Sequence, residues 1–299
     1  GLTMRDLVRQ LRHNRKALIG LLILLLIIGA ALAAPWLTQY APTARVGRPH
    51  QPPSAEHWLG TTRLGQDVFA RLIYGARTSL AVGFGAGVMI TVLGTVLGIV
   101  AGYRRGLVDE IINFATNIVL VVPNLPLLLV LAAFIGQASP WVIALILGLT
   151  SWAWGARVTR SETLSVAQKD FVKSAEMLGE PAWRIMALEI FPNLISIVGI
   201  NLIGSVIFAV ITEATLEFLG LGDPNAVSWG IMLYNAQNSS ALTVGAWWDL
   251  LSPCVALALL GLGLALLNFA IDEISNPRLR TGSRIQRWTR LVRAGEGRL

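Results

Sequence analysis

Charge is scarce in this chain. Aspartate, glutamate, lysine and arginine make up 14% of its 299 residues, against about 25% in soluble domains, so an ordinary soluble fold is excluded. Cysteine occurs once, at Cys254, which rules out an internal disulfide and reads as a small residue buried in a helix. The three histidines, His13, His50 and His57, are scattered without metal-ligand spacing. Lysine occurs only at Lys16, Lys169 and Lys173, none of them after a glycine. A phosphate-binding loop needs Gly-Lys-Ser/Thr, so that backbone amides and the lysine can hold phosphates. This chain therefore does not bind ATP through such a loop. Neither Gly-x-Ser-x-Gly nor His-Glu-x-x-His occurs, and no catalytic, cofactor-binding or metal-binding residue is assigned.

What is abundant is apolar sequence: 54% of residues are hydrophobic and the mean hydropathy is +0.63. These residues fall into blocks long enough to cross a bilayer, which takes about 20 apolar residues in a helix. The expected fold is an all-α membrane protein, a polytopic bundle of about six transmembrane helices. The spans read as Ala17–Leu37, Thr78–Gly102, Ile111–Ile135, Pro140–Ala156, Leu194–Leu216 and Leu251–Ile271. The first block is too long for the apolar core of a cleavable signal and reads as a retained span. Pro123 and Pro126 predict a kink or break in the third. The ten tryptophans suit interfacial anchoring.

Domain organisation follows. Residues 1–16 read as a cytoplasmic amphipathic segment and 17–37 as the first span. Residues 38–77 form an extracytoplasmic loop with an interfacial helix. Residues 78–272 form a five-helix core, including a cytoplasmic coupling loop over 157–193 and an extracytoplasmic loop over 217–250. Residues 273–299 form a basic cytoplasmic tail. Under an even number of spans, Arg5, Arg9, Arg12, Arg15, Lys16, Arg104, Arg105, Arg157, Arg160, Lys169, Lys173 and Arg184 share one side with the arginines of the tail. Arg45, Arg48, Arg63, Arg71 and Arg77 are left on the other. Cytoplasmic loops are enriched in Lys and Arg, so both termini are expected in the cytoplasm of a multi-pass bacterial or archaeal plasma membrane protein. The net charge of +7 reflects that topology and attraction to membrane lipids. Basic residues spread over several loops with no binding fold give no nucleic-acid reading.

The loops carry further expectations. Val68, Phe69, Leu72 and Ile73 share a face of a helix over Gly65–Gly75, expected to lie in the outer interface. The loop after Glu217 has no Lys or Arg, and reads either as a contact for substrate or an extracytoplasmic protein, or as a structural lid. Glu213 and Glu217, one turn apart, read as helix-end packing with partial hydration, without a proton or ion role. Gly94, Gly98 and Gly102, with Gly83 and Gly87 upstream, form a small-residue face that reads as close helix packing.

The richest segment is KDFVKSAEMLGEPAWRIMALEIFPN, residues 169–193. Phe171, Ala175 and Leu178 form an apolar stripe opposite Lys169, Lys173 and Glu176. Gly179 is placed to end that helix in the left-handed region, and Pro181 to open the next, which runs to Phe191-Pro192. Loops this long with helices of their own tend to be functional, and this one reads as a docking element for a soluble partner.

At these residues the chain resembles the inner-membrane permease subunits of ATP-binding-cassette importers, in particular the C-type permease of the dipeptide/oligopeptide/nickel branch. The cytoplasmic loop motif is matched at Phe171, Val172, Ala175, Leu178, Gly179, Arg184, Ile185 and Pro192-Asn193. Further matches are His57–Thr61, Leu64-Gly65, Asp67 and Arg71–Arg77, then Glu213-Ala214, Phe218–Gly222, Ser228–Gly230 and Asn276–Leu279. Lys173, Ser174 and Ala175 stand where the motif usually has Glu-Ala-Ala, reversing the charge at its acidic position. The Gly-Asp-Gly-Leu-Arg pattern common before the tail is also missing. The resemblance implies a type I importer permease (MetI-like) fold and a heterodimer with a second homologous permease. It implies two cytoplasmic ATPase subunits, which bind ATP and Mg, and an extracytoplasmic substrate-binding protein. The coupling loop would engage an ATPase through Phe171, Lys173, Ser174, Ala175, Leu178, Gly179, Arg184 and Pro192. The chain itself would be a non-catalytic subunit. Di- and oligopeptides are the default substrate within that branch, with nickel or oligosaccharides as alternatives. A stand-alone secondary transporter predicts an inverted repeat that is not seen. A membrane scaffold differs from an importer only in moving no substrate.

Overall fold

A computed structural model describes residues 14–275. Residues 1–13 of the amino-terminal segment, the tail beyond 275 and the Asn276–Leu279 match lie outside the described residues. Five helices are long and apolar enough to cross a membrane, and a sixth crossing is made if one bent pair counts as a span. The expected bundle of about six spans is therefore present.

The first helix, α1 (Arg15–Leu32), starts where the Asn14 side chain accepts from the backbone amides of Lys16 and Ala17. After Ala33 the four-residue α2 (Ala34–Leu37) completes the expected first span. A Cβ on Gly20 would lie 2.6 Å from the Gly263 carbonyl oxygen, so glycine is what lets α1 cross the last helix, α11 (Trp247–Ser275), so closely. Lys16 Nζ pairs with Glu273 at 3.2 Å, placing the two ends of the described chain together. Cys254 lies on α11 as expected but is exposed, on the face turned away from the bundle.

The long α3 (Val68–Arg104) revises one expectation. There is no separate interfacial helix over 65–75. Asp67 caps a single helix of 37 residues by accepting from the Ala70 amide at 2.8 Å. At about 1.5 Å per residue this helix is about 55 Å long, well beyond a hydrocarbon core of about 30 Å. The apolar face assigned to lipid is instead covered by protein: Val68 and Ala76 are buried in one core with Trp229, Met232 and Trp248. Gly75 does not break the helix; it allows the Ser228 backbone to approach to 3.3 Å of where a Cβ would sit. Further along, Gly83 and Gly87 face Val210 and Val206, while Gly94, Gly98 and Gly102 receive Ala156, Thr159 and Thr163. The small-residue face is thus a two-sided packing surface.

The third span is broken as the prolines predict. Helices α4 (Gly106–Val121) and α5 (Asn124–Ile135) meet at 84°. Val122 is extended because the ring of Pro123 disfavours helical backbone before it. The fourth span runs beyond the expected Ala156. It consists of α6 (Pro140–Thr150) and α7 (Ala153–Val166), interrupted at Ser151-Trp152. The first ten residues of the expected coupling loop are therefore helix, held to α4 by a two-pronged ion pair from Arg160 to Asp109 at 2.6 Å on each arm.

After α8 (Asp170–Met177), the fifth span begins earlier than expected. One helical stretch, α9 (Ala182–Phe218), runs through Phe191-Pro192 without interruption. Its turn over Ile185–Ile190 is a π-helix. Proline removes a donor and collides with the carbonyl four residues back in an α-helix, and a π turn spreads that geometry by one residue. Pro192 thus sits inside a continuous helix. The loop after α9 contains α10 (Trp229–Asn238), started by the Ser228 side chain accepting from the Ile231 amide at 3.2 Å.

Candidate functional site: the 169–193 segment and its link to the bundle

The end of the bundle that holds Lys16, Arg104 and Arg160 also carries α8 and the start of α9. There the chain reverses through a Schellman-type ending: the Gly179 amide bonds the Glu176 carbonyl at 3.0 Å and the Glu180 amide bonds that of Ala175 at 3.2 Å. Gly179 has φ +79°, a backbone region in which a side chain is strained, and open space where its Cβ would be. Pro181 is the residue before the next helix rather than its first turn, its carbonyl accepting from Arg184 and Ile185.

The expected apolar stripe turns out to be split. Val172 is fully buried with Ile99, Ile185, Ile190 and Leu194, and Ala175 packs against that cluster. Phe171 and Leu178 instead face outward, Leu178 with 82% of its surface exposed. Lys173 and Ser174 are also exposed, and the Ser174 hydroxyl donates to the Asp170 carbonyl at 2.8 Å. Arg184 pairs with Glu180 at 2.9 Å across the bend, in water. Pro192 lies at the π-to-α junction. Sequence periodicity missed Met177 and Trp183, 87% and 66% exposed; the available signal was large apolar residues inside a polar segment. Phe171, Met177, Leu178 and Trp183 thus present apolar side chains on a helix pair whose own core is already filled by Val172 and Ile185. That geometry leaves apolar side chains exposed on the helix pair, beside the polar Lys173 and Ser174.

At the far end of α9 the two glutamates are not partly hydrated. Glu213 and Glu217 are both fully buried. Glu217 Oε2 accepts from the Ser228 hydroxyl. A Cβ on Gly230 would lie 2.5 Å from Glu217 Oε2, and one on Gly222 would lie 2.8 Å from Glu217 Cγ. The two glycines therefore frame the carboxyl group. Ser79 accepts from the Trp229 amide at 3.2 Å, and the indole of Trp229 donates to the Leu72 carbonyl at 2.9 Å. The cluster ties α10 to α3 and α9, so part of the loop expected as a lid or a contact is a fixed helix. Burial follows because α10 folds over the end of α9, which spacing along one helix does not reveal.

The first connecting segment is held in the same polar manner. His57 Nδ1 lies 2.8 Å from Asp67 Oδ1, both buried, and the Arg71 guanidinium donates to Gln66 Oε1 at 2.5 Å. These contacts shape residues 47–67 into a cap over α11, where the Trp248 indole donates to the Thr61 carbonyl at 3.2 Å.

Comparison with known proteins covers most of the chain. The binding-protein-dependent transport system inner membrane component family matches residues 94–281. The N-terminal TM domain of oligopeptide transport permease C matches residues 3–53. The chain is 33% identical to the dipeptide transport system permease protein DppC of Bacillus subtilis (strain 168), over 92% of this chain and 86% of that one. It is 31% identical to the oligopeptide transport system permease protein OppC of the same organism, over 92% and 90%. It is 30% identical to the di/tripeptide transport system permease protein DppC of Pseudomonas aeruginosa (strain UCBPP-PA14), over 94% of each. With the family matched across well over half of its length, the chain belongs to the binding-protein-dependent transport system inner membrane components.

Proposed function

We propose that this chain is the membrane-spanning permease subunit of an ATP-driven importer, that it forms half of a pathway for di- and oligopeptides, and that it couples to cytoplasmic ATPases through residues 169–193. The observation that carries this reading is the helix pair bent at Gly179, which turns Phe171, Leu178 and Trp183 outward at the basic end of the bundle. The Lys and Arg asymmetry puts that end in the cytoplasm. The ATPases bind ATP and Mg; this chain supplies no chemistry. A second homologous permease completes the pathway, and an extracytoplasmic binding protein delivers substrate at the opposite end. Closure of the ATPases pushes α8 and the start of α9, and the bundle switches the side to which it is open. Three relatives named for dipeptide, oligopeptide and di/tripeptide transport favour peptides over nickel or oligosaccharides.

The test is ATP hydrolysis by the complex assembled with its two ATPases, second permease and binding protein, with and without a mixed peptide pool. Stimulation by peptides that Gly179→Pro abolishes supports the whole reading. Stimulation by nickel or oligosaccharide alone replaces the substrate. A chain that binds no ATPase refutes the coupling role.

A further inference from the structure

The breaks of the third and fourth spans open onto one cavity of about 580 Å³. Its walls come from the α4–α5 bend at Asn124, the α6–α7 interruption at Ser151, the middle of α9 at Asn201 and Ser205, and Asn268 of α11. Ile90, near the centre of the membrane-spanning part of α3, also lines it. The remaining walls are largely apolar.

Three asparagines converge here from three separate elements, and each has an uncommitted buried atom. Asn124 Oδ1, Asn201 Nδ2 and Asn268 Oδ1 have no hydrogen-bond partner. Asn124 uses its other end, donating from Nδ2 to Ser151 Oγ at 3.3 Å. Leaving one buried polar group unpaired costs about 1–3 kcal/mol. Within a membrane bundle, asparagines ordinarily bond across helices, which these atoms do not do, and broken backbone is tolerated where it lines a cavity. Both features meet at this one place.

The composition of the walls narrows the ligand. No Asp, Glu, Lys, Arg or His is among the lining residues, so a divalent cation finds no ligand of opposite charge. Side-chain amides present a donor and an acceptor each, the same pair that a peptide bond carries in its N–H and C=O. Resting on the importer reading above, we infer that this cavity is this chain's part of the substrate path and holds a peptide by its main-chain amides. Asn124, Asn201 and Asn268 would contact the backbone while the apolar walls accept side chains without selecting among them.

The test uses the assembled importer in proteoliposomes with tri-alanine as probe. Uptake is compared between the unmodified chain and Asn201→Leu or Asn268→Leu, substitutions that a membrane bundle accommodates by volume and polarity, at matched amounts of assembled complex. The expected result is a fall of about tenfold or more, the scale of one or two lost hydrogen bonds. Equal uptake by both variants overturns the cavity assignment. Absence of tri-alanine uptake by the unmodified importer instead overturns the peptide-importer reading, so the two failures are distinct. A second measurement does not depend on transport. With Cys254→Ala as background, Ser205→Cys is reacted with a membrane-permeant maleimide in the assembled complex, and saturating tri-alanine is expected to slow labelling several-fold. Labelling indifferent to tri-alanine, or slowed by maltotriose instead, overturns main-chain recognition of peptides at this site.

Discussion

Ser228 donates its hydroxyl hydrogen bond to the buried carboxyl group of Glu217, and the same hydroxyl oxygen accepts from the Ile231 amide at 3.2 Å. One side chain thereby starts α10 and fastens it to the end of α9. Gly222 and Gly230 leave the room this contact needs. The Phe218–Gly222 and Ser228–Gly230 stretches are thus one interlocked joint.

Replacing Ser228 tests that joint. Ser228→Ala removes both the cap and the partner of a buried carboxyl group, at a combined cost of about 2–4 kcal/mol. A lower Tm of the purified chain in detergent is expected, with Ser228→Thr closer to the unmodified protein. An unchanged Tm for Ser228→Ala would show the contact to be energetically idle.

Gly179 has φ +79° and nothing within 4 Å of where its Cβ would be, so strain alone opposes substitution there. Gly179→Asn should be tolerated, since asparagine visits this region, whereas Gly179→Val should not. Peptide-stimulated ATP hydrolysis should fall more than tenfold for Gly179→Val, with membrane insertion unchanged on fractionation.

Close approach along α3 makes opposite predictions for two glycines of the same helix. A Cβ on Gly98 would lie 2.6 Å from Thr159 Cβ and 2.7 Å from the Ala156 carbonyl oxygen, while one on Gly85 meets nothing within 4 Å. Gly98→Val should destabilise the bundle by about 1–3 kcal/mol through overpacking. Gly85→Ala should leave it unchanged or slightly stabilised, because helical glycine carries excess chain entropy. Paired thermal melts decide this.

Leu178 and Trp183 contribute little to the chain's own core, being 82% and 66% exposed. Leu178→Asp and Trp183→Ala should therefore leave the Tm of the isolated chain within a degree or two. Co-purification with the ATPases should drop by tenfold or more, the effect expected of a central apolar anchor. Loss of stability in parallel with loss of binding would assign these residues to folding instead.

Much of the fold was legible because membrane spans announce themselves by length and because Pro123 marks its own break. The misreadings arose where local signals were overridden by partners distant in sequence. Gly65–Gly75 looked like an isolated amphipathic helix because its apolar face had no visible partner; Trp229 and Trp248 supply it. Pro192 looked like a stop because proline costs a helix interior a hydrogen bond, and the π turn before it is not encoded by any spacing rule. The helix after Ser228 was hidden by Gly230 in its first turn, a glycine kept there by the Glu217 carboxyl group. In the 169–193 segment the bend at Gly179 was readable from local chemistry. Which apolar side chains face out was not, because that depends on Ile99 and Leu194 filling the space beneath Val172.

The π turn at Ile185–Ile190 has a mechanical consequence. By accommodating Pro192 without a break, it makes residues 182–218 a single helical stretch of about 55 Å. One tip lies beside the Gly179 bend, and the other ends at Glu217, locked to Ser228. A displacement imposed at the first tip would travel along one unbroken helix to the second, where α10 is fastened. The helix breaks of the bundle lie elsewhere, at the 84° elbow of α4 and α5 and at the Ser151-Trp152 gap. Those two breaks border the same cavity, so a push along the unbroken helix would act on the walls of that cavity.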